Sequence, residues 1–209
     1  MIACHPHEAT LTAYAAGALP GGLALVVATH LHFCAACRDT AGLAEALGGV
    51  LLDALPPTPV SADALDRALE RTTEPRLIVP PSGEAGPLLE PGLPPPLNRC
   101  AFGGWKPLTR GMWFRPLRLS DGVWAGLVEG AAGRVLPSHA HVGTEMTCVL
   151  SGSFSDVRGH YGPGDLVEVG TGEDHQPVID KTGPCLSLIA IEGVRLGGVL
   201  GFAQRLLGW

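Results

Sequence analysis

An α + β protein of two parts, a small helical bundle followed by an antiparallel β-sandwich or barrel, is what the sequence predicts. Three observations carry that reading. Residues 8 to about 54 have helical composition, interrupted by Pro20-Gly21-Gly22. From 80 to 96, seven of seventeen residues are Pro and three are Gly, without periodicity, the composition of a linker. Beyond it, short apolar runs alternate with turn signals at Asp121-Gly122, Ser151-Gly152, Pro163-Gly164 and Thr182-Gly183, the rhythm of short antiparallel strands. The expected division is 1–79 helical, 80–96 linker and 97–209 β-rich, and 209 residues are enough for two small domains.

Each helix has a local reason. The spans 8–18 and 21 to about 37 flank the Pro-Gly-Gly turn, and a third helix is expected from about Asp39 to Ala54, ahead of Pro56-Pro57. Ser61 can cap a fourth, over Ala62 to about Thr72, in which Leu65 and Leu69 share one face at i, i+4 spacing.

Charge narrows the partners. Fourteen basic and twenty acidic residues give a net charge of -6. The acidity lies in residues 1–79, with four basic and eight acidic side chains, whereas 97–209 hold ten of each. Nucleic acid binding needs a basic face, so a direct nucleic-acid partner is not expected, and an acidic unit of this kind could suit a basic protein partner. No Lys or Arg precedes Arg38, so the start lacks the basic region of a secretory signal. The apolar stretch Ala13 to Ala28 is broken at Pro20 and too short to span a membrane. A cytoplasmic location is expected, where six cysteines stay mostly reduced and closely spaced ones suggest metal before disulfide.

His30, Cys34 and Cys37 form H-x3-C-x2-C. On a continuous helix, at about 100° per residue, Cys34 lies roughly 40° to one side of His30 and Cys37 roughly 20° to the other, so the three face one way. Two thiols and an imidazole suit Zn2+, and a structural zinc is closed by a fourth ligand. Cys4, His5, His7 and His32 are the candidates, although His32 should point away, about 200° around the helix from His30.

In the second part, Gly133-x5-His139-x-His141-x3-Glu145-x6-Gly152 matches the first cupin motif at every defined position. His139 and His141 are two apart, so a strand projects both from one face. The second motif is altered: Gly164-x5-Gly170-Thr171-Gly172-x2-His175 has Gly170 where that family usually has Pro, and Ile179 where it usually has Asn. Neither departure removes a ligand. The set His139, His141, Glu145 and His175, three imidazoles and a carboxylate, suits Zn, Fe, Mn or Ni.

His160 reads as a solvated histidine between the motifs. Trp105, Trp113, Trp124 and Trp209 read as core or interface aromatics, Cys148 as buried, and Cys185 as a candidate redox residue.

The run His5 to Arg38, above all LTAYAAG followed by VVATH, closely resembles the zinc-binding domain of ChrR-type anti-sigma factors, whose C-terminal half is a cupin-like domain holding a second zinc. The resemblance covers nearly the whole chain. It implies His5 as the fourth ligand with His30, Cys34 and Cys37, Zn2+ at both sites, and no catalytic residues. Proteins of this kind sequester an extracytoplasmic-function (ECF) sigma factor from core RNA polymerase. They release it on oxidative stress from singlet oxygen or organic peroxide. The competing reading is a cupin metal-dependent dioxygenase of a small ketone or similar substrate, but such an enzyme has no need of a zinc-clipped helical unit. A zinc-finger DNA binder fails on charge, since Arg38 alone lies near the ligands.

Overall fold

The computed structural model describes residues 2–73, 92–98, 100–119, 123–136 and 138–196. Four helices come first: α1 (Glu8–Ala15), α2 (Gly21–Phe33), α3 (Ala35–Asp53) and α4 (Ala64–Thr73). Leu23, Val26, Val27, His30 and Leu31 recur at helical spacing and form the buried face of α2. Gly22 belongs to that face because a Cβ there would come within 2.8 Å of the Val123 side chain.

Two helix boundaries differ from expectation. The chain breaks at Cys34, not near Arg38: Cys34 has extended backbone (φ -106°, ψ 108°), ends α2 and caps α3, its Sγ accepting from the Cys37 N–H at 3.5 Å. The fourth helix starts at Ala64. Asp63, whose carbonyl accepts from the Arg67 N–H, precedes it, while Ser61 Oγ accepts from the Arg67 guanidinium.

The β part contains β1 (Lys106–Thr109), β2 (Met112–Leu117), β3 (Trp124–Gly130), β4 (His139–His141), β5 (Glu145–Ser151), β6 (Phe154–Asp156), β7 (Gly159–Tyr161), β8 (Leu166–Val169), β9 (Val178–Ile179), β10 (Cys185–Ile191) and β11 (Val194–Leu196). They form a six-stranded sheet, β1-β2-β3-β10-β5-β8, faced by the smaller sheets β7-β6-β9 and β11-β4, and every ladder between these strands is antiparallel. The turn signals at 163–164 and 182–183 fall between strands and that at 151–152 at the end of β5; Asp121-Gly122 lies outside the described residues.

Alternation along the large sheet serves two interiors. Met112, Val149, Val167, Val169 and Cys185 point into the barrel with Phe154, Tyr161 and Ile179 from the facing sheet. Leu117, Leu127, Met146, Cys148, Leu166 and Leu188 point the other way and share one apolar cluster with the buried residues of α1, α2 and α3. The linker does not separate two independent cores: α2 packs directly on β5 and β10. Burying Leu23, Val26, Val27 and Leu31 there contributes roughly 1.5–3 kcal/mol per side chain. The end of the proline-rich stretch, Pro95–Leu97, is a 3-10 turn against α2 with Leu97 buried, and residues 80–91 lie outside the described residues.

Candidate metal centres

The structure brings His5, His30, Cys34 and Cys37 together, and separately His139, His141, Glu145 and His175; within each group one ligand atom per residue lies within 4.8 Å of the others. Each group could hold a metal ion.

In the helical cluster His5 Nδ1 lies 3.4 Å from both the Cys34 and Cys37 sulfurs. Tetrahedral zinc, with bonds of about 2.0 Å to nitrogen and about 2.3 Å to sulfur, sets such atoms about 3.5 Å apart. His30 comes from the last turn of α2, Cys34 from the break and Cys37 from the first turn of α3. The convergence therefore comes from a chain break and not from one continuous helical face. His7 is turned away, its Nδ1 2.6 Å from Glu168 Oε2, His32 is exposed on the far side of α2, and Cys4 is not in the cluster.

His30 is fully buried, and its Nδ1 lies 2.7 Å from the Gly164 carbonyl oxygen. A carbonyl only accepts, so Nδ1 carries the proton and Nε2 keeps its lone pair. That Nε2 is buried without a hydrogen-bond partner, the state of a nitrogen prepared for a cation. Burial pushes the His30 pKa down, and the nearby His5 adds to this against the Gly164 bond and Asp165, so the neutral ligand form is favoured. Burial first, and then the Cys34 sulfur, push the Cys37 thiol up to about 11. A cation bound there displaces that proton, so its affinity rises with pH.

The barrel cluster stands on strands. His139 and His141 occupy alternate positions of β4, and His175 joins them through a bridge in which His139 and His175 exchange backbone hydrogen bonds of 3.2 Å. His175 Nε2 lies 3.1 Å from the Nε2 atoms of both His139 and His141. Glu145, the first residue of β5, sets Oε2 3.3 Å from His141 Nδ1 and 3.9 Å from His139 Nε2. Burial works against its charge, yet the His139 hydrogen bond and the three imidazoles outweigh it and hold Glu145 below the usual carboxylate range. Burial lowers the pKa values of His141 and His175. Neutral imidazole nitrogens facing one another around a carboxylate make a donor set for a divalent cation.

Behind His175 stands a group that no sequence pattern announces. Asp156 Oδ2 lies 3.4 Å from His175 Nδ1, and Asp156 accepts from the Arg158 N–H, Gly159 N–H and Tyr161 hydroxyl, with the Arg158 guanidinium at 3.2 Å. A carboxylate on the outer nitrogen orients the ring and raises its strength as a ligand.

The cluster borders a cavity of about 60 Å³, lined by His139, Glu145 and His175 together with Met112, Phe154, Ile179 and Cys185, with room for a few water-sized molecules. Cys148 is buried, with its thiol pushed up to about 12 by burial. Burial also raises the Cys185 thiol, the opposite of a reactive thiolate. His160 is exposed beside Ser155 and Asp180. Trp105, Trp113 and Trp124 are surface residues and not core, Trp124 stacked on Phe114; Trp209 lies outside the described residues.

Residues 99–192 match the family described as the ChrR cupin-like domain. Over 200 residues, 90% of this chain and 89% of the relative, the sequence is 33% identical to the anti-sigma-E factor ChrR of Cereibacter sphaeroides. The chain belongs to the ChrR anti-sigma factor family. Its fold is similar to that of a ChrR-type protein: the crystal structure of Rhodobacter sphaeroides SigE in complex with the anti-sigma ChrR superposes with a TM-score of 0.76 at 31% identity, covering 91% of this chain and 99% of that one. An acetylacetone dioxygenase from Acinetobacter johnsonii reaches only 0.41 at 17% identity, over 46% of this chain and 74% of that one, and carries no argument about a reaction. Among the described residues of this ChrR-family chain, no helix is long and apolar enough to cross a membrane.

Proposed function

We propose that the protein is a cytoplasmic regulator that binds an ECF-type sigma factor, withholds it from core RNA polymerase, and releases it under oxidative stress from singlet oxygen or organic peroxide. It acts as a binding protein and not as an enzyme. Residues 1–79 are the sigma-binding unit, 80–96 the connection and 97–209 the sensor. Membership of the ChrR family supports the reading, and so does the relative whose crystal structure is a complex with SigE.

The observation that carries it is an uncovered apolar surface. On α3, Leu43, Leu47, Val50, Leu51 and Leu52 are all more than half exposed, and so are Leu65 and Leu69 on α4, with Leu55 and Val60 between the helices. So many exposed apolar side chains on two helices mark a protein–protein interaction surface, and an amphipathic helix such as α4 is a common docking element.

His5, His30, Cys34 and Cys37 hold one Zn2+, which cross-links the ends of α2 and α3 to the segment before α1. His139, His141, Glu145 and His175 hold a second ion, Zn2+ or one of Fe, Mn and Ni. A bound ion supplies charge compensation and fixed ligand geometry at each place. The orphaned nitrogen of His30 and the buried Glu145 carboxylate among three imidazoles fit that role.

The test is titration of the full chain with its ECF sigma factor. Leu65→Glu with Leu69→Glu is expected to weaken binding at least about 100-fold, by setting two charges against a desolvated surface, with metal content unchanged. Unaltered affinity would remove the α3–α4 surface from the interface.

A further inference from the structure

The helical cluster is not built by the helical part alone. The His30 imidazole is held by the barrel at the turn between β7 and β8, and the stretch of chain that carries His5 is tied to that turn and to β8. Resting on the metal reading above, we propose that Gly164 and Asp165 are positioning residues of the N-terminal metal site. That site is thereby an interdomain one, whose hold on its metal depends on the barrel.

Two sets of contacts meet at this turn. The Gly164 carbonyl accepts from His30 Nδ1 at 2.7 Å, which fixes the tautomer and turns Nε2 toward Cys34 and Cys37. Asp165, only 5% exposed, accepts from the N–H groups of Ala3 and Cys4 through Oδ1 at 2.7 and 2.9 Å, and from Gly162 N–H through Oδ2 at 2.8 Å. The Leu166 N–H then donates to the Cys4 carbonyl, and Glu168 accepts from the His7 N–H. His5 sits in the middle of this stretch, which has no secondary structure of its own and is tied to β8 on both sides. Without those ties a single exposed histidine before α1 would have to find the two sulfurs from a mobile strand of chain.

Gly164 adds a steric reason. Its φ is +90°, which favours glycine, and a Cβ would lie 2.9 Å from both Ile2 Cδ1 and Phe33 Cβ. Those neighbours belong to the segment that carries His5 and to the residue just before Cys34. Any side chain here acts as a wedge between the barrel and the metal site.

Cobalt distinguishes the two sites, because only the N-terminal one offers thiolates and hence a sulfur-to-cobalt charge-transfer band. The full chain is loaded with Co2+, and decay of that band is timed in excess chelator. Asp165→Asn, Asp165→Ala and Gly164→Ala are each expected to speed the loss about 10-fold or more, the scale of removing an outer-shell partner. Ile179→Ala, a cavity in the barrel interior away from the turn, is expected to lower the melting temperature without changing the rate. Wild-type rates in Asp165→Asn and Gly164→Ala would overturn the proposal, and so would equal acceleration by Ile179→Ala, which would reduce the effect to general stability. Absence of the band in the wild type would instead overturn the metal reading on which the proposal rests.

Discussion

The two clusters offer four donors each but are held in different ways. The barrel cluster draws all four of its residues from strands or a strand bridge and lines the interior of the β part. The helical cluster draws one residue each from an irregular N-terminal stretch, a helix end, a chain break and a helix start, with His5 exposed at its edge. In the first case the fold positions the ligands. In the second the ligands come from four separate pieces of chain, and a joined ion adds a cross-link that the packing of α2 on the barrel does not supply.

The largest expected effect follows from that difference. Cys34→Ala with Cys37→Ala removes a cross-link whose metal contributes on the order of 10 kcal/mol in small zinc domains. Hydrogen exchange should find α1 and the α2–α3 junction opened while β3, β5 and β10 stay protected, and sigma binding should fall at least about 100-fold. Unchanged protection and affinity would mean that the apolar face of α2 suffices without the metal.

His141→Ala tests the other half. One metal equivalent should be lost, yet the fold should survive with a loss of about 2 kcal/mol, or roughly 4–8 °C for a chain of this length. Sigma should still be bound in unstressed cells, and singlet oxygen should no longer release it. Normal induction in a reporter strain would move the sensor to the thiols of Cys34 and Cys37.

A smaller effect is expected one layer out. Asp156→Asn should weaken the barrel metal about 10- to 100-fold by loosening His175, leaving the cobalt–thiolate band of the helical site untouched. Equal loss at both sites would mean that Asp156 acts through stability alone.

The smallest is a pH effect at Asp165. Burial works to raise its pKa, but the amide donors of Cys4, Gly162 and Ala3 outweigh it and hold the carboxyl below its ordinary value. A depressed folded-state pKa gives stability that is full above the unfolded value, about 3.9, and is lost as pH falls through the lower folded value. The stability difference between wild type and Asp165→Asn should therefore be flat between pH 5 and 7, to roughly that accuracy, and shrink below about pH 4. A difference that persisted at low pH would mean that the carboxylate charge plays no part.

The barrel set and three of the helical residues could be read from spacing because metal sites restrict residue type and separation together, whereas spacing left Cys4, His5, His7 and His32 open and only the resemblance implied His5. Period two at His139 and His141 was enough to place them on one face of a strand. The H-x3-C-x2-C spacing picked out residues that the structure does bring together, but on the expectation of a continuous helix; a break at Cys34 brings His30 and the two sulfurs together equally well, and sequence alone does not separate the two. Asp156 and Asp165 were illegible because each acts across the fold, on His175 and on the chain around Cys4, and carboxylates of that kind leave no local pattern. Sequence left core and interface both open for the tryptophans because a large aromatic satisfies the same local pattern on either side of a sheet, and Trp105, Trp113 and Trp124 lie at the surface.

Strand β5 carries Glu145, Thr147 and Val149 toward the barrel and Met146 and Cys148 toward the helices. Both faces are buried, so its sequence is written for two interiors at once. A one-residue slip against β10 would turn Glu145 into the helical layer and Met146 into the metal site. The same ladder of hydrogen bonds thus keeps the metal ligand and the helix-bearing floor in phase. Insertion or deletion of a single residue in this strand would displace the metal ligand and the helix-bearing floor together.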